Sequence, residues 1–221
     1  PEKRSFKIME AVRKGRGLPE GAEQEMIDAG VPDWYIGSCK KIAYLFPKAH
    51  AVAYVMMAFR IAWFKVYYPL AFYAAYFYRR SQKGGFDAVL MTGGKESIMA
   101  NMDAIENNEN ATDKDEDLLT TMEVVYEYYL RGFDFLPIDI YKSHATKFLV
   151  EDGKILPPFV AISGLGENAA WDLMRGREGK TFLSIEEVSA ACPKVSKTHI
   201  QMLKDAGAFG SLPDTSQISL F

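Results

Sequence analysis

The stretch from Ala49 to Tyr78 constrains the fold most. It is rich in aromatic and aliphatic side chains, and only Arg60, Lys65 and Pro69 interrupt it. A membrane span needs about 18 or more successive apolar residues with few or no charges. The longest charge-free run here, Val66 to Tyr78, is 13 residues. The stretch is therefore expected to form two buried helices, His50 to Tyr68 and Pro69 to about Arg80, with the proline tolerated in a first turn. No membrane partner is expected.

The remaining pattern is also largely helical. Phe6, Met9 and Val12 recur at helical spacing up to Lys14, and Gly15, Gly17, Pro19 and Gly21 then break the helix. Asp33 precedes a helical run to Leu45. Gly84 to Ile105 suggests a helix that Gly93-Gly94 disturbs, Asn107 to Asp117 reads as a solvent loop, and Leu118 to Arg131 as a helix. Alternation at 133–135, 138–140 and 145–150 predicts short strands, and Glu151-Asp152-Gly153-Lys154 a hairpin turn. The fold class is mainly α with a small β element, in two modules. No repeat of solenoid period is present.

With 48% hydrophobic and 25% charged residues in 221, the chain is not intrinsically disordered as a whole. Two cysteines, Cys39 and Cys192, cannot make a disulfide framework or a four-thiolate zinc site, and suit a reducing cytoplasm. The charged start, Pro1 to Lys7, carries no signal-peptide pattern, and Pro in first place suggests a piece of something longer. The net charge of -3 hides an asymmetry. Residues 1–80 sum to +6, residues 81–140 to -9 and residues 141–221 to zero. The basic first third either faces a polyanion or is solvated helix surface.

Several chemistries fail on spacing. There is no HExxH, and His50, His144 and His199 lie far apart. Gly93-Gly94-Lys95-Glu96 lacks the remaining positions of a phosphate loop. Asp113, Asp115 and Asp117 start like a calcium loop, but Leu118 and Val124 stand where Gly and Glu are needed. No Ser-His-Asp order is convincing, and none of these patterns supplies a catalytic residue or a metal ligand.

The most specific internal signal is Ile162-Ser163-Gly164-Leu165-Gly166-Glu167-Asn168, just before a helix. Glycines allow positive φ and close backbone approach. The first N–H groups of a helix lack internal partners and can hold a phosphate. A helix-hairpin-helix grips a duplex backbone in this way without reading sequence, with Leu165 as a buried plug and Asn168 where a lysine often stands. The same letters fit a dinucleotide-binding fingerprint through Gly164, Gly166 and Ala169, or a plain structural turn. A second signal, Phe46-Pro47-Lys48-Ala49-His50, puts a cation and a histidine at a helix start, where an anion such as a triphosphate is favoured. Arg13 and Lys14, or Lys40 and Lys41, could add charge; the other reading, which spacing alone favours, is a snorkelling lysine and a satisfied core histidine. The third signal is Gln217-Ile218-Ser219-Leu220-Phe221, a polar stretch ending in two large apolar side chains, which either dock into a partner or pack on their own domain.

These signals coincide with a known family. The chain resembles the C-terminal part of the replicative DNA polymerase III alpha chain of the PolC type. The resemblance runs nearly full length, from Ser5–Gly15 through Pro32–Ile36, Cys39–Ile42, Phe46–Ala51 and Ile155–Phe159 to the end. It implies DNA-directed DNA polymerisation by the whole protein, in the cytoplasm. Residues 1–80 would close the fingers, with Lys48 and His50 beside the incoming deoxynucleoside triphosphate and Phe46 in the pocket wall. Arg13 and Lys14 would touch phosphates or template. Residues 81–130 would be a helical connector with an acidic loop. Residues 131–210 would be the duplex-binding domain, gripping primer-template DNA at Gly164, Leu165, Gly166 and Asn168, with Val195 to Ala208 in a second, degenerate hairpin. Residues 211–221 would tether the sliding clamp through Gln217, Leu220 and Phe221.

The dinucleotide reading then falls away. The catalytic carboxylates and their two Mg²⁺ would lie in a palm domain before the fingers, so this chain alone is expected to be inactive and to bind no cofactor. The alternative is a stand-alone, non-catalytic adaptor that binds DNA and the clamp.

Overall fold

The computed structural model describes residues 2–45 and 47–216. They fall into two compact units, divided between Ala62 and Trp63.

The first unit begins with α1 (Glu2–Arg13), α2 (Ala22–Asp28) and α3 (Asp33–Lys41). Its buried core is small: Val12, Met26, Ile36 and Cys39, with Ile8, Leu18, Val31 and Ile42 packed against them. Surface pairs join the helices, Arg4 to Glu25 at 2.7 Å and Lys40 to Glu23 at 2.6 Å. Gly15 ends α1 at φ 71°, where a Cβ would stand 2.0 Å from the Ala43 carbonyl oxygen. Only glycine fits there. The helix predicted to run to Leu45 stops at Lys41.

Next comes α4 (Lys48–Tyr67), a 20-residue helix that starts where the sequence suggests. It is not buried: none of its residues is. Phe59 is 74% exposed and Tyr54 67%. The apolar pattern called for burial, yet the contacts near its far end, Lys65 with Glu127 and Arg131, leave no residue of this helix buried. By length and composition alone α4 could cross a membrane.

The second unit holds the main core. α5 (Pro69–Ser81) follows Tyr68, with Pro69 in its first turn. Its inward residues Tyr73 and Phe77 are fully buried. They meet α8 (Asp113–Leu130) edge-on, Tyr73 lying 5.0 Å from Tyr128 between ring centroids. Phe86, Phe135 and Phe148 complete this aromatic centre, with Tyr128–Phe135 at 4.8 Å and Phe86–Phe148 at 5.0 Å. Such pairs add to the hydrophobic term of burial.

The helix suggested over Gly84 to Ile105 is two helices, α6 (Ala88–Met91) and α7 (Lys95–Glu106). Gly94 between them has φ 93°, a conformation that favours glycine. The expected loop to Asp117 ends early. Thr112 and Asp115 form a reciprocal capping box, so the acidic residues 113–117 are the first turn and more of α8. Alternation had suggested more strand than exists. Only β1 (Leu149–Glu151) and β2 (Lys154–Leu156) pair, antiparallel, round the predicted turn at Asp152-Gly153. Phe135 contributes a single bridge to Ile155, and 138–140 and 145–148 form no strand. Their alternating residues insert into the core from extended loop, where burial needs no ladder.

After a 3-10 turn at Phe159–Ala161, three helices close the unit: α9 (Glu167–Gly176), α10 (Ile185–Ala191) and α11 (Lys197–Asp205). The described fold is thus mostly helical, with one small antiparallel hairpin.

Candidate nucleic-acid interface

The hairpin before α9 is built by its sequence. The Leu165 N–H donates to the Ile162 carbonyl at 3.0 Å, closing a tight turn. Gly164 inside it takes φ 90°, and Leu165 is driven inward to 3% exposure. Gly166 then caps α9, its carbonyl accepting from both Ala169 and Ala170 at 3.1 Å. The N–H groups of Gly164, Gly166, Glu167 and Asn168 find no acceptor among the described residues, and all four residues are exposed. A cluster of outward N–H groups at the positive end of a helix dipole is a site for an anionic oxygen. Glu167 does not block it from the side chain, because its Oε1 accepts from the Trp171 indole at 3.1 Å.

The turn recurs 30 residues on. The Val195 N–H donates to the Cys192 carbonyl at 3.0 Å, Val195 is buried to 6% exposure, and Ser196 caps α11 as Gly166 caps α9. Here the cap is a side chain: Ser196 and His199 bond reciprocally at 3.2 Å. The charge also differs. The first hairpin presents no cation, whereas the second carries Lys194 and Lys197, both exposed. Sequence reading placed only part of this second hairpin and missed the two lysines. The detectable signal was the shared order of a buried aliphatic residue, a capping residue and a helix.

The hairpins brace each other. The Lys194 N–H donates to Asp172 Oδ2 of α9 at 2.8 Å. Met202 of α11 lies so close to Gly164 that a Cβ there would meet its Cε at 2.9 Å. Gly176 at the end of α9 approaches the second hairpin, where a Cβ would stand 2.4 Å from the Cys192 sulfur. Burial, with Asp172 nearby, pushes the Cys192 thiol up to about 11, so it packs rather than reacts. His144 braces the base of the first hairpin. Its Nδ1 accepts from the Thr146 and Lys147 N–H groups at 3.0 and 3.1 Å, and its ring meets Trp171 edge-on. Burial, then the Lys147 and Arg177 charges, hold its pKa below the ordinary histidine value.

The other candidate residues are placed as follows. Lys48 and His50 open α4, with the His50 ring 4.5 Å from Tyr54. Arg13 ends α1 and Lys14 follows it; Lys14 pairs with Glu10 at 2.7 Å and the Arg13 carbonyl accepts from the Leu45 N–H. That bond ties the segment leading into α4 to the end of α1. Phe46, Gln217, Leu220 and Phe221 lie outside the described residues. Among the described residues no group of three His, Cys, Asp or Glu is placed to hold a metal ion.

Residues 132–217 match the family model of the helix-hairpin-helix motif, so the class of this module is a helix-hairpin-helix domain. Over its length the chain is homologous to DNA polymerase III PolC-type proteins. It is 52% identical to that of Caldanaerobacter subterraneus across 221 residues, all of this chain and 16% of the relative. It is 49% identical to that of Bacillus cereus and 50% identical to that of Thermotoga petrophila, each across 98% of this chain and 15% or 16% of the relative. The chain thus spans about a sixth of these relatives.

Proposed function

We propose that the chain works as part of a replicative, DNA-directed DNA polymerase of the PolC type, as its C-terminal portion, and that its own task is to hold duplex DNA without reading sequence. The observation that carries this is the pair of hairpins 30 residues apart, each closed by the same N–H···O turn over a buried aliphatic residue. The first offers exposed N–H groups and the second offers lysines, which together suit backbone phosphates rather than base edges. Homology to PolC-type proteins across the whole chain supports the same reading.

Within it, residues 1–80 belong to the fingers, 81–130 to a connector, 131–210 to the duplex grip and 211–221 to the clamp tether. Lys48, His50, Phe46, Arg13 and Lys14 meet the incoming nucleotide, and Gln217, Leu220 and Phe221 meet the sliding clamp. Polymerisation of this kind uses Mg²⁺ to activate and clamp the reacting oxygens. The described residues do not fit such a site, because no three of their His, Cys, Asp or Glu side chains are placed to hold an ion together. In this reading the catalytic ions belong to another part of the polypeptide, which works in the cytoplasm.

The test is duplex affinity against salt. The logarithm of the binding constant should fall linearly and steeply with the logarithm of salt, equally for duplexes of unrelated sequence. Salt-insensitive or sequence-selective binding would remove the phosphate grip.

A further inference from the structure

We propose that α4, beyond the first turn that carries Lys48 and His50, is a core helix of a larger protein body, its exposed apolar sides enclosed by polypeptide of the complete PolC-type polymerase outside the part this chain matches. The inference rests on the function just proposed and adds an interaction surface to it. α4 has no buried residue, yet its sequence is apolar round its whole circumference. At about 100° per residue, residues nine apart lie on opposite sides. Val52 and Ile61, 47% and 51% exposed, form one such pair, and Tyr54 and Trp63, 67% and 48% exposed, form another. A helix apolar all round is either the centre of a large protein or a membrane span.

Three observations choose between the possible covers. Arg60 sits near the middle of α4, where a bilayer strongly disfavours it. Lys65, nearer the far end, is already bound to Glu127 at 2.6 Å in the second unit. A second copy of this chain would cover one side through a two-fold contact and leave the opposite side wet. Meanwhile 84% of the Caldanaerobacter relative lies outside the matched part, since the match takes 16% of it. That length supplies enough polypeptide to surround the helix. The small core of the first unit points the same way, because five buried residues are few for a unit of its length.

The experiment is hydroxyl-radical footprinting of Met56, Met57 and Trp63 in the complete polymerase and in the 221-residue chain. Protection of at least tenfold in the complete polymerase is expected; equal labelling overturns the proposal. Phe59→Lys and Ile61→Lys, about 160° apart round the helix, are each expected to lower the thermal midpoint of the complete polymerase by several degrees, and neither that of the short chain. Tolerance of either in the complete polymerase overturns enclosure. Protection of α4 in the short chain by dimerisation, or on anionic phospholipid vesicles, assigns it to a second copy or to a membrane and overturns the proposal as well. Loss of the salt-dependent duplex grip with α4 still protected would remove the grip and leave the enclosure standing.

Discussion

Gly164 and Gly166 look alike in the sequence and are different in space. Gly164 is held at φ 90° with Met202 against it, whereas Gly166 has φ -66° and nothing within 4 Å of where a Cβ would stand. Gly164→Ala is therefore expected to strain the turn and to destabilise the second unit by about 1 kcal/mol or more. Gly166→Ala should leave the melting midpoint within about 1 °C and still weaken duplex binding several-fold, because the added methyl stands among the exposed N–H groups. Melting curves and duplex titrations of the two variants separate folding from binding. Unchanged affinity in Gly166→Ala would take this hairpin out of the interface. The glycines' spacing was legible in the sequence; which of them the fold requires was not, because Met202 comes from a helix far along the chain.

Among the elements, α8 shows how local and tertiary terms divide. Its start is set locally, by the Thr112–Asp115 capping box. Thr112→Ala should lower the melting midpoint by about 2–4 °C, measured by circular dichroism. Its far end is set by tertiary contacts. Glu127 accepts from Lys65 at 2.6 Å and from the Tyr73 hydroxyl at 3.0 Å, while Arg131 donates to Tyr73 and to the Lys65 carbonyl, each at 3.1 Å. Burial disfavours the Glu127 charge, but the bonds from Lys65 and Tyr73 outweigh it and hold its pKa below the ordinary value. The network's contribution is therefore present above the unfolded-state pKa of about 4.3 and is lost as pH falls through the lower folded value. Glu127→Gln should flatten the acid limb of the stability-against-pH curve, and an unaltered limb would show that the carboxylate contributes nothing to it. Sequence reading found α8 but not this network, since its members come from three helices.

At the scale of the whole molecule, the two units differ in core. Among its described residues the first buries five, four of them in one cluster, while the second buries a continuous aromatic and aliphatic centre. Each contains one buried cysteine, Cys39 or Cys192, so thiol labelling reports on each unit separately. Cys39 is expected to react at lower denaturant than Cys192, with the difference read by mass spectrometry after brief alkylation. Simultaneous labelling would mean that the units open together. The helical class, the glycine hairpin, the turn at Asp152-Gly153 and Pro69 at a helix start were all determined by sequence alone, because each depends on residues within a few positions of one another. Tertiary structure alone decided the rest. It split Gly84 to Ile105 into two helices and turned alternating segments into core-filling loops. It also gave the second hairpin, part of which the sequence had placed, the same turn as the first, and left no residue of α4 buried. These outcomes turn on what stands opposite each residue, and an apolar pattern records only that burial is favourable, not which surface supplies it.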